Sequence, residues 1–148
     1  MTPEKEKTAL TLYTRLMRSA NAVTDKMHAH LQAHQLTISQ FGIQEALFHL
    51  GPLCQKDLGK KILKTSGNIT LVIDNLEKRN LVVRERDPGD RRRFTIIFTS
   101  QGHDLIADIF PEHSKTAAAV FSVLEPGEQA QLGQLLKKLG LQGKGKSP

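Results

Sequence analysis

From Ala9 onward the apolar residues Leu12, Leu16, Ala20, Val23, Met27 and Leu31 recur at steps of three and four. That spacing lays one stripe along a helix of 3.6 residues per turn, so the chain opens with a long amphipathic helix whose seam resembles a coiled coil. Thr37 then stands three residues before Gln40, the pattern of a capping box. Behind it Phe41, Ile43, Ala46, Leu47 and Leu50 supply the apolar residues of a second helix, and Gly51-Pro52 stops it. A short third helix is expected over residues 55–63. A fourth, capped by Thr65 or Ser66, runs to about Asn80.

The period then changes from 3.6 to 2. Leu81, Val82 and Val83 read as a strand, and Phe94, Ile96 and Phe98 alternate with Thr95, Ile97 and Thr99 as a second. Between them Asp87-Pro88-Gly89 is a turn signal, so residues 81–99 form a hairpin. After Gly102 a helical pattern resumes through Leu105, Ile106, Ile109, Val120, Phe121 and Leu124, and Pro111 is expected to kink or interrupt it. A last helix after Pro126 places Leu132, Leu135, Leu136 and Leu139 on one stripe. Two short helices followed by a hairpin with a basic tip form a winged helix-turn-helix. The fold class is mainly α with a small β-hairpin wing, a single domain over 1–148.

Composition narrows the function. The 148 residues hold 21 Lys plus Arg against 15 Asp plus Glu, a formal charge of +6, and the sequence pI is about 9.6. Such an excess suits a polyanionic partner, either nucleic acid or an anionic membrane surface. The single cysteine, Cys54, cannot form an internal disulfide, which fits a reducing cytoplasm. The charged N-terminal stretch has no apolar signal-peptide core, and no apolar run reaches the roughly 18 residues of a membrane span. An enzyme is not expected: there is no nucleophile motif, phosphate-binding glycine loop or two-His-plus-carboxylate signature.

The candidate chemistry lies in residues 64–96. With successive residues 100° apart, Ile69, Val72, Ile73 and Leu76 gather on the core side of the fourth helix. The opposite arc carries Gly67, Thr70, Leu71, Asp74, Asn75 and Lys78, with Asn68 on its flank. A purely structural surface helix would more often carry Glu-Lys pairs there. Small hydroxyl and amide groups instead approach base edges, and Asn bonds adenine bidentately. Leu71 is either a partner for a thymine methyl or an incidental exposed leucine. At the hairpin tip Arg86, Arg91, Arg92 and Arg93 crowd together, and their repulsion calls for an anion. Asp87 and Asp90 are expected to hold some of the guanidinium groups, leaving others to enter a DNA minor groove.

At these residues the chain resembles the MarR family of bacterial transcription regulators. The likeness is carried by "DLGKKILKTSGNITLVIDNLEKRNLVVRERDPGDRRRFTIIFTSQG", residues 57–102, in which the family's wing signature, Asp followed two positions later by Arg, falls on Asp90 and Arg92. The resemblance implies a homodimeric repressor on a pseudo-palindromic double-stranded DNA operator. Residues 1–35 and 103–140 would be dimerisation helices, 36–102 the DNA-binding lobe and 141–148 a flexible tail. By the same likeness Ser66, Asn68, Thr70 and Leu71 read the major groove, with Thr65 and Asn75 beside them. Arg92, supported by Asp90, enters the minor groove, while Lys64 and Arg91 grip phosphates and Arg86 joins the wing contacts. Independently, Leu12 and Leu16 on the first helix and Leu132, Leu135, Leu136 and Leu139 on the last form stripes that need cover, from a second copy or within one protomer.

Many members of that family release DNA on binding small aromatic or phenolic ligands, which makes such an effector the expected partner and leaves no cofactor. Cys54 supports an alternative, a redox-sensing regulator. It stands where Ser or Thr would cap the third helix, next to Lys56, a setting that favours a thiolate, although free cysteine also packs as a small hydrophobe. A third possibility is an architectural DNA-binding protein that senses nothing. His28, His30 and His34 cluster, and His30 and His34 share a helix face at zinc-chelating spacing. No Cys, Asp or Glu joins them at motif spacing, so a solvated or packing role is expected and no metal site.

Overall fold

The computed structural model describes residues 2–62 and 68–141. Its elements are α1 (Pro3–Gln32), α2 (Ile38–Leu50), β1 (Leu53–Cys54), α3 (Gln55–Lys61), α4 (Ile69–Lys78), β2 (Val82–Asp87), β3 (Asp90–Phe98), α5 (Ser100–Phe121) and α6 (Pro126–Gly140). The fold is mostly helical with a small antiparallel wing, in the strand order β1-β3-β2. Among the described residues, no helix is long and apolar enough to cross a membrane.

Local chemistry accounts for most boundaries. Thr2 caps α1, and Pro3, Glu4 and Glu6 occupy its first turn, so this helix starts before the apolar stripe. The capping box of α2 is present, with Thr37 and Gln40 exchanging 3.1 Å hydrogen bonds, and Gly51 ends the helix at φ 77°. The third helix stops at Lys61, short of residue 63, because Ile62 is already extended. The cap of α4 is Asn68 rather than Thr65 or Ser66: its Oδ1 accepts from the Leu71 amide at 3.2 Å. Thr65 and Ser66, with Lys64, lie outside the described residues, as does the tail from residue 142. At its other end α4 stops at Lys78, and Asn80 takes a left-handed φ of 60°.

Two expectations about the elements need correction. The wing has a third strand: Leu53 pairs with Ile96 and Cys54 with Thr95. Two residues carry no readable period, and β3 supplies the register from the far end of the lobe. Helix α5 is also continuous through Pro111. Pro111 and Ala107, whose carbonyl loses its helical donor, are both exposed, so the gap in the ladder lies on the solvent side of the helix.

The core is Leu31, Leu36, Phe41, Ile43, Leu47, Leu58, Ile73, Leu76, Leu81, Val82, Ile96, Ile106 and Ile109. It joins the C-terminal end of α1 to the winged lobe and the first half of α5. Helix α6 contributes no buried residue. The wing returns to this core at one tight junction. The Thr99 amide donates to the Leu81 carbonyl at 3.1 Å, while its hydroxyl donates to the Asn80 carbonyl at 2.6 Å and accepts from the Gly102 amide at 2.9 Å. A Cβ at Gly102 would sit 1.8 Å from the Leu81 oxygen.

A second junction ties α1, α2 and α5 through histidine. His113 Nδ1 lies 3.0 Å from His30 Nε2, and its Nε2 lies 3.7 Å from Glu45 Oε2. The Phe41 ring packs 4.4 Å from the His113 ring, and His30 Nδ1 is buried with no hydrogen-bond partner among the described residues. His30 therefore pairs across the fold rather than with His34, whose carbonyl accepts from Arg79 at 3.2 Å. Burial, followed by the His30 and His28 charges, lowers the His113 pKa from its ordinary value.

Two measurements follow from these junctions. Gly102→Ala, which forces a methyl into a backbone oxygen, should destabilise by at least the roughly 1–3 kcal/mol of an overpacked core; an unchanged melting temperature would contradict that contact. For His113 the folded pKa is the lower one, so above about pH 6.5 both states are neutral and the packing contributes fully. Below that pH the unfolded chain takes up its proton first and stability falls. Denaturant titrations at about pH 7.5 and about pH 5.5 should show a larger acid loss for the native sequence than for His113→Phe.

Candidate nucleic-acid interface

The α4 helix buries Ile73 and Leu76 and turns the opposite arc outward. Asn68, Thr70 and Lys78 are exposed, Asp74 and Asn75 are half-buried, and Leu71 is 52% exposed. The described part of the predicted reading face is thus presented to solvent. Three of its polar groups already have internal partners. Asp74 Oδ1 accepts from Arg84 Nη1 at 2.6 Å. Asn68 Oδ1 caps the helix, and Thr70 Oγ1 accepts from Gln55 Nε2 at 2.8 Å.

On the wing, β2 and β3 pair through Val82↔Phe98 to Arg86↔Phe94, with a register irregularity at Arg86/Asp87 beside the tip. Asp90 stands beside Arg92: its Oδ1 accepts from the Arg92 amide at 2.9 Å and lies 3.8 Å from Arg92 Nε. The Arg92 side chain is 95% exposed. Asp87 differs from expectation, because its Oδ1 turns to the Gly89 amide at 2.8 Å and shapes the turn. The Arg86 guanidinium lies 5.5 Å from the Phe94 ring centre, a cation–π contact that orders it. Arg91 is exposed on the same tip.

Arg93 Nη2 lies 3.6 Å from Cys54 Sγ. Cys54 is half-buried and makes no capping bond. It lines an open cleft of about 410 Å³ with Gln55, Lys56, Arg92, Arg93 and Phe94. The contact with Cys54, followed by the more distant Asp87 and Asp57, raises the Arg93 pKa above its ordinary value. Among the described residues no group of three His, Cys, Asp or Glu side chains is arranged to hold a metal ion.

The stripes on the outer helices are open. Leu12 is 61% and Leu135 56% exposed, and Leu16, Leu136 and Leu139 are exposed as well, with Leu132 half-covered. Two arginines missed in the sequence organise the lobe. Arg79 binds the Gln35 and His34 carbonyls at 2.8 and 3.2 Å, fastening α4 to the turn after α1. Arg84 on β2 contacts both α3 and α4. Its signal was present, since it shares the inward face of β2 with Val82 while Asp74 and Glu77 stand one helical turn apart.

The model of the MarR family matches residues 36–94. Over 136 residues the chain is 36% identical to the HTH-type transcriptional regulator MhqR of Bacillus subtilis (strain 168), covering 92% of this chain and 94% of that protein. The structure superposes on Bordetella bronchiseptica BpsR, whose DNA binding is regulated by 6-hydroxynicotinic acid, with a TM-score of 0.78 and 25% identity over 86% of this chain and 91% of that one. It also matches S. aureus MepR in its DNA complex, with a TM-score of 0.76 and 25% identity over 86% of this chain and 95% of that one.

Because Arg92 projects from the tip without touching the core, Arg92→Ala should keep the fold and weaken DNA binding. The slope of log affinity against log salt should become shallower by about one unit. Equal affinity and slope in a folded variant would remove Arg92 from the interface.

Proposed function

The chain belongs to the MarR family, and we propose that it is a homodimeric repressor that leaves a pseudo-palindromic operator when a small aromatic or phenolic ligand binds. It is a DNA-binding transcription regulator of the winged helix-turn-helix type. The observation that carries the fuller reading is the pairing of an outward α4 face, through Asn68, Thr70, Leu71 and Asn75, with an exposed arginine wing ordered by Asp90. The helix fits a major groove and Arg92 the adjacent minor groove, with Arg86 and Arg91 on neighbouring phosphates. Lys64, Thr65 and Ser66 belong to the same proposed surface by family likeness.

The open leucine stripes support a dimer in which residues 1–35 and 103–140 of two copies cover one another. That arrangement sets two reading helices on half-sites about 10 base pairs apart. For the effector, support comes from the ring cluster between α1 and the winged lobe. There the His30, Phe41 and Phe110 rings gather against His113, and His30 Nδ1 is buried with no hydrogen-bond partner among the described residues, so apolar faces and a polar atom of the kind that hold a hydroxylated ring lie close together. BpsR, regulated by such a ring, supports the same class. A cytoplasmic location follows from this role.

The Arg93–Cys54 contact favours a second reading, in which oxidants or electrophiles act at Cys54. Titrating the operator complex of the native protein and of Cys54→Ser with hydroxylated aromatic acids and with peroxide separates the possibilities. Aromatic release from both proteins, without peroxide release, supports the proposed effector. Peroxide release confined to the native protein supports the cysteine. An operator complex indifferent to both would identify a regulator that senses neither, or an architectural protein.

A further inference from the structure

We propose that Arg84 is a positioning residue that sets the wing at a fixed angle to the recognition helix, so that base reading and the minor-groove contact act as one. This rests on the DNA-reading arrangement proposed above. The Arg84 side chain is only 16% exposed, and its donors reach two elements, α3 and α4. Nη1 donates to Asp74 Oδ1 at 2.6 Å and closely to Glu77 Oε1. Nη2 donates to the Thr70 carbonyl at 3.1 Å, and Nε donates to Gln55 Oε1 at 3.3 Å. The Arg84 amide adds a bond to Glu77 Oε2 at 3.2 Å. Gln55 completes the circuit, since its Nε2 donates to the Thr70 hydroxyl at 2.8 Å.

One planar guanidinium thus joins β2 to both helices of the helix-turn-helix. Lysine carries the same charge but has a single nitrogen, which cannot meet four acceptors lying in different directions. The site also balances charge, because Asp74 and Glu77 stand on the helix that must approach phosphates and Arg84 offsets one of them. The lever arm explains why the angle matters. Three residues separate Arg84 from the turn, about 10 Å of strand. A tilt of about 10° at Arg84 therefore displaces the tip by about 2 Å, enough to break a hydrogen bond to DNA. The apolar packing of Val82 and Ile96 holds the base of the wing, β1 holds its β3 edge through Leu53 and Cys54, and Arg84 joins its β2 edge to α4.

The test is a double-mutant cycle on DNA, with Arg84→Lys, Arg92→Ala and the double variant each measured on operator and on random duplex at one salt concentration. Thermal unfolding is measured in parallel. Arg84→Lys should lower operator affinity about ten-fold while random-duplex affinity changes by less than about two-fold. In that background Arg92→Ala should cost clearly less than it does alone, because the wing is already misplaced. A merely structural role predicts an equal loss on both DNAs and multiplying effects, and either result overturns the proposal. If Arg92→Ala alone leaves operator affinity intact, the wing contact itself is wrong and the proposal falls with it, an outcome distinct from failure of the cycle. Should Arg84→Lys melt far below the native protein, Gln55→Ala removes only the α3 arm and takes its place. The same operator-selective loss and sub-multiplicative coupling are then expected, and their absence overturns the proposal.

Discussion

The wing must leave the core and return to it, and both passages are held within a few residues of Thr99. Leu81 donates its amide to the Leu76 carbonyl at the end of α4 and gives its own carbonyl to Thr99. Thr99 binds Asn80 through its hydroxyl and caps α5 through the same oxygen. Gly102 is the only side-chain-free residue in that first turn, and its hydrogen faces the Leu81 carbonyl. The end of the reading helix, the base of the hairpin and the start of α5 are therefore one unit, and none can shift without the others. The wing tip is different. It lies beyond the core, ordered by Asp90, the Arg86–Phe94 contact and the bonds around Arg84, and so depends on polar geometry where the base depends on burial.

Burial is also unequal along the chain, and that inequality has a functional sense. Every residue of the apolar core lies between Leu31 and Ile109, whereas α6 buries nothing and most of α1 faces solvent. A lone protomer with these exposed leucine stripes would carry apolar surface in water at a cost of about 25 cal/mol per Å². In the proposed dimer that surface is covered, and the histidine junction of His30 and His113 then lies between the dimerising ends and the winged lobe. A ligand entering there touches both the element that holds the copies together and, through α2, the lobe that holds DNA. Arg79 offers a second physical link, because its bonds to the Gln35 and His34 carbonyls join the α1–α2 turn to the end of α4.

The parts of this fold legible in the sequence are those decided by neighbours in the chain. Thr37 and Gln40 form their capping box from three residues apart, Gly51 ends its helix, and the Asp87-Pro88-Gly89 turn closes a hairpin with the expected alternation. Where the deciding partner is remote, sequence reasoning stopped. The strand Leu53–Cys54 exists because β3 offers it an edge. His30 meets His113 from 83 residues away, a contact that the local spacing of His30 and His34 does not reveal. Arg84 was passed over among many arginines, although its inward register beside Val82 separated it from those at the tip. The cap of α4 was misassigned for a related reason: three capping residues stand close together, and only the geometry of the helix start selects Asn68.

That cap changes what the reading helix can offer to DNA. A free asparagine reads adenine with both amide groups, but the oxygen of the exposed Asn68 is turned to the Leu71 amide, which leaves its Nδ2 group as the one to offer. The Thr70 oxygen accepts from Gln55, which leaves its own O–H to donate. Among the described residues the first turn of α4 therefore presents two donors and the apolar Leu71 side chain. In the proposed complex such a face suits acceptor-rich major-groove edges, guanine N7 and O6 or adenine N7, next to a thymine methyl. A donor edge at the same position, such as cytosine N4, would leave both donors without a partner and cost the complex their desolvation. In the proposed complex, sequence preference thus arises partly from hydrogen bonds made inside the protein before DNA is met, because they decide which groups remain to be satisfied.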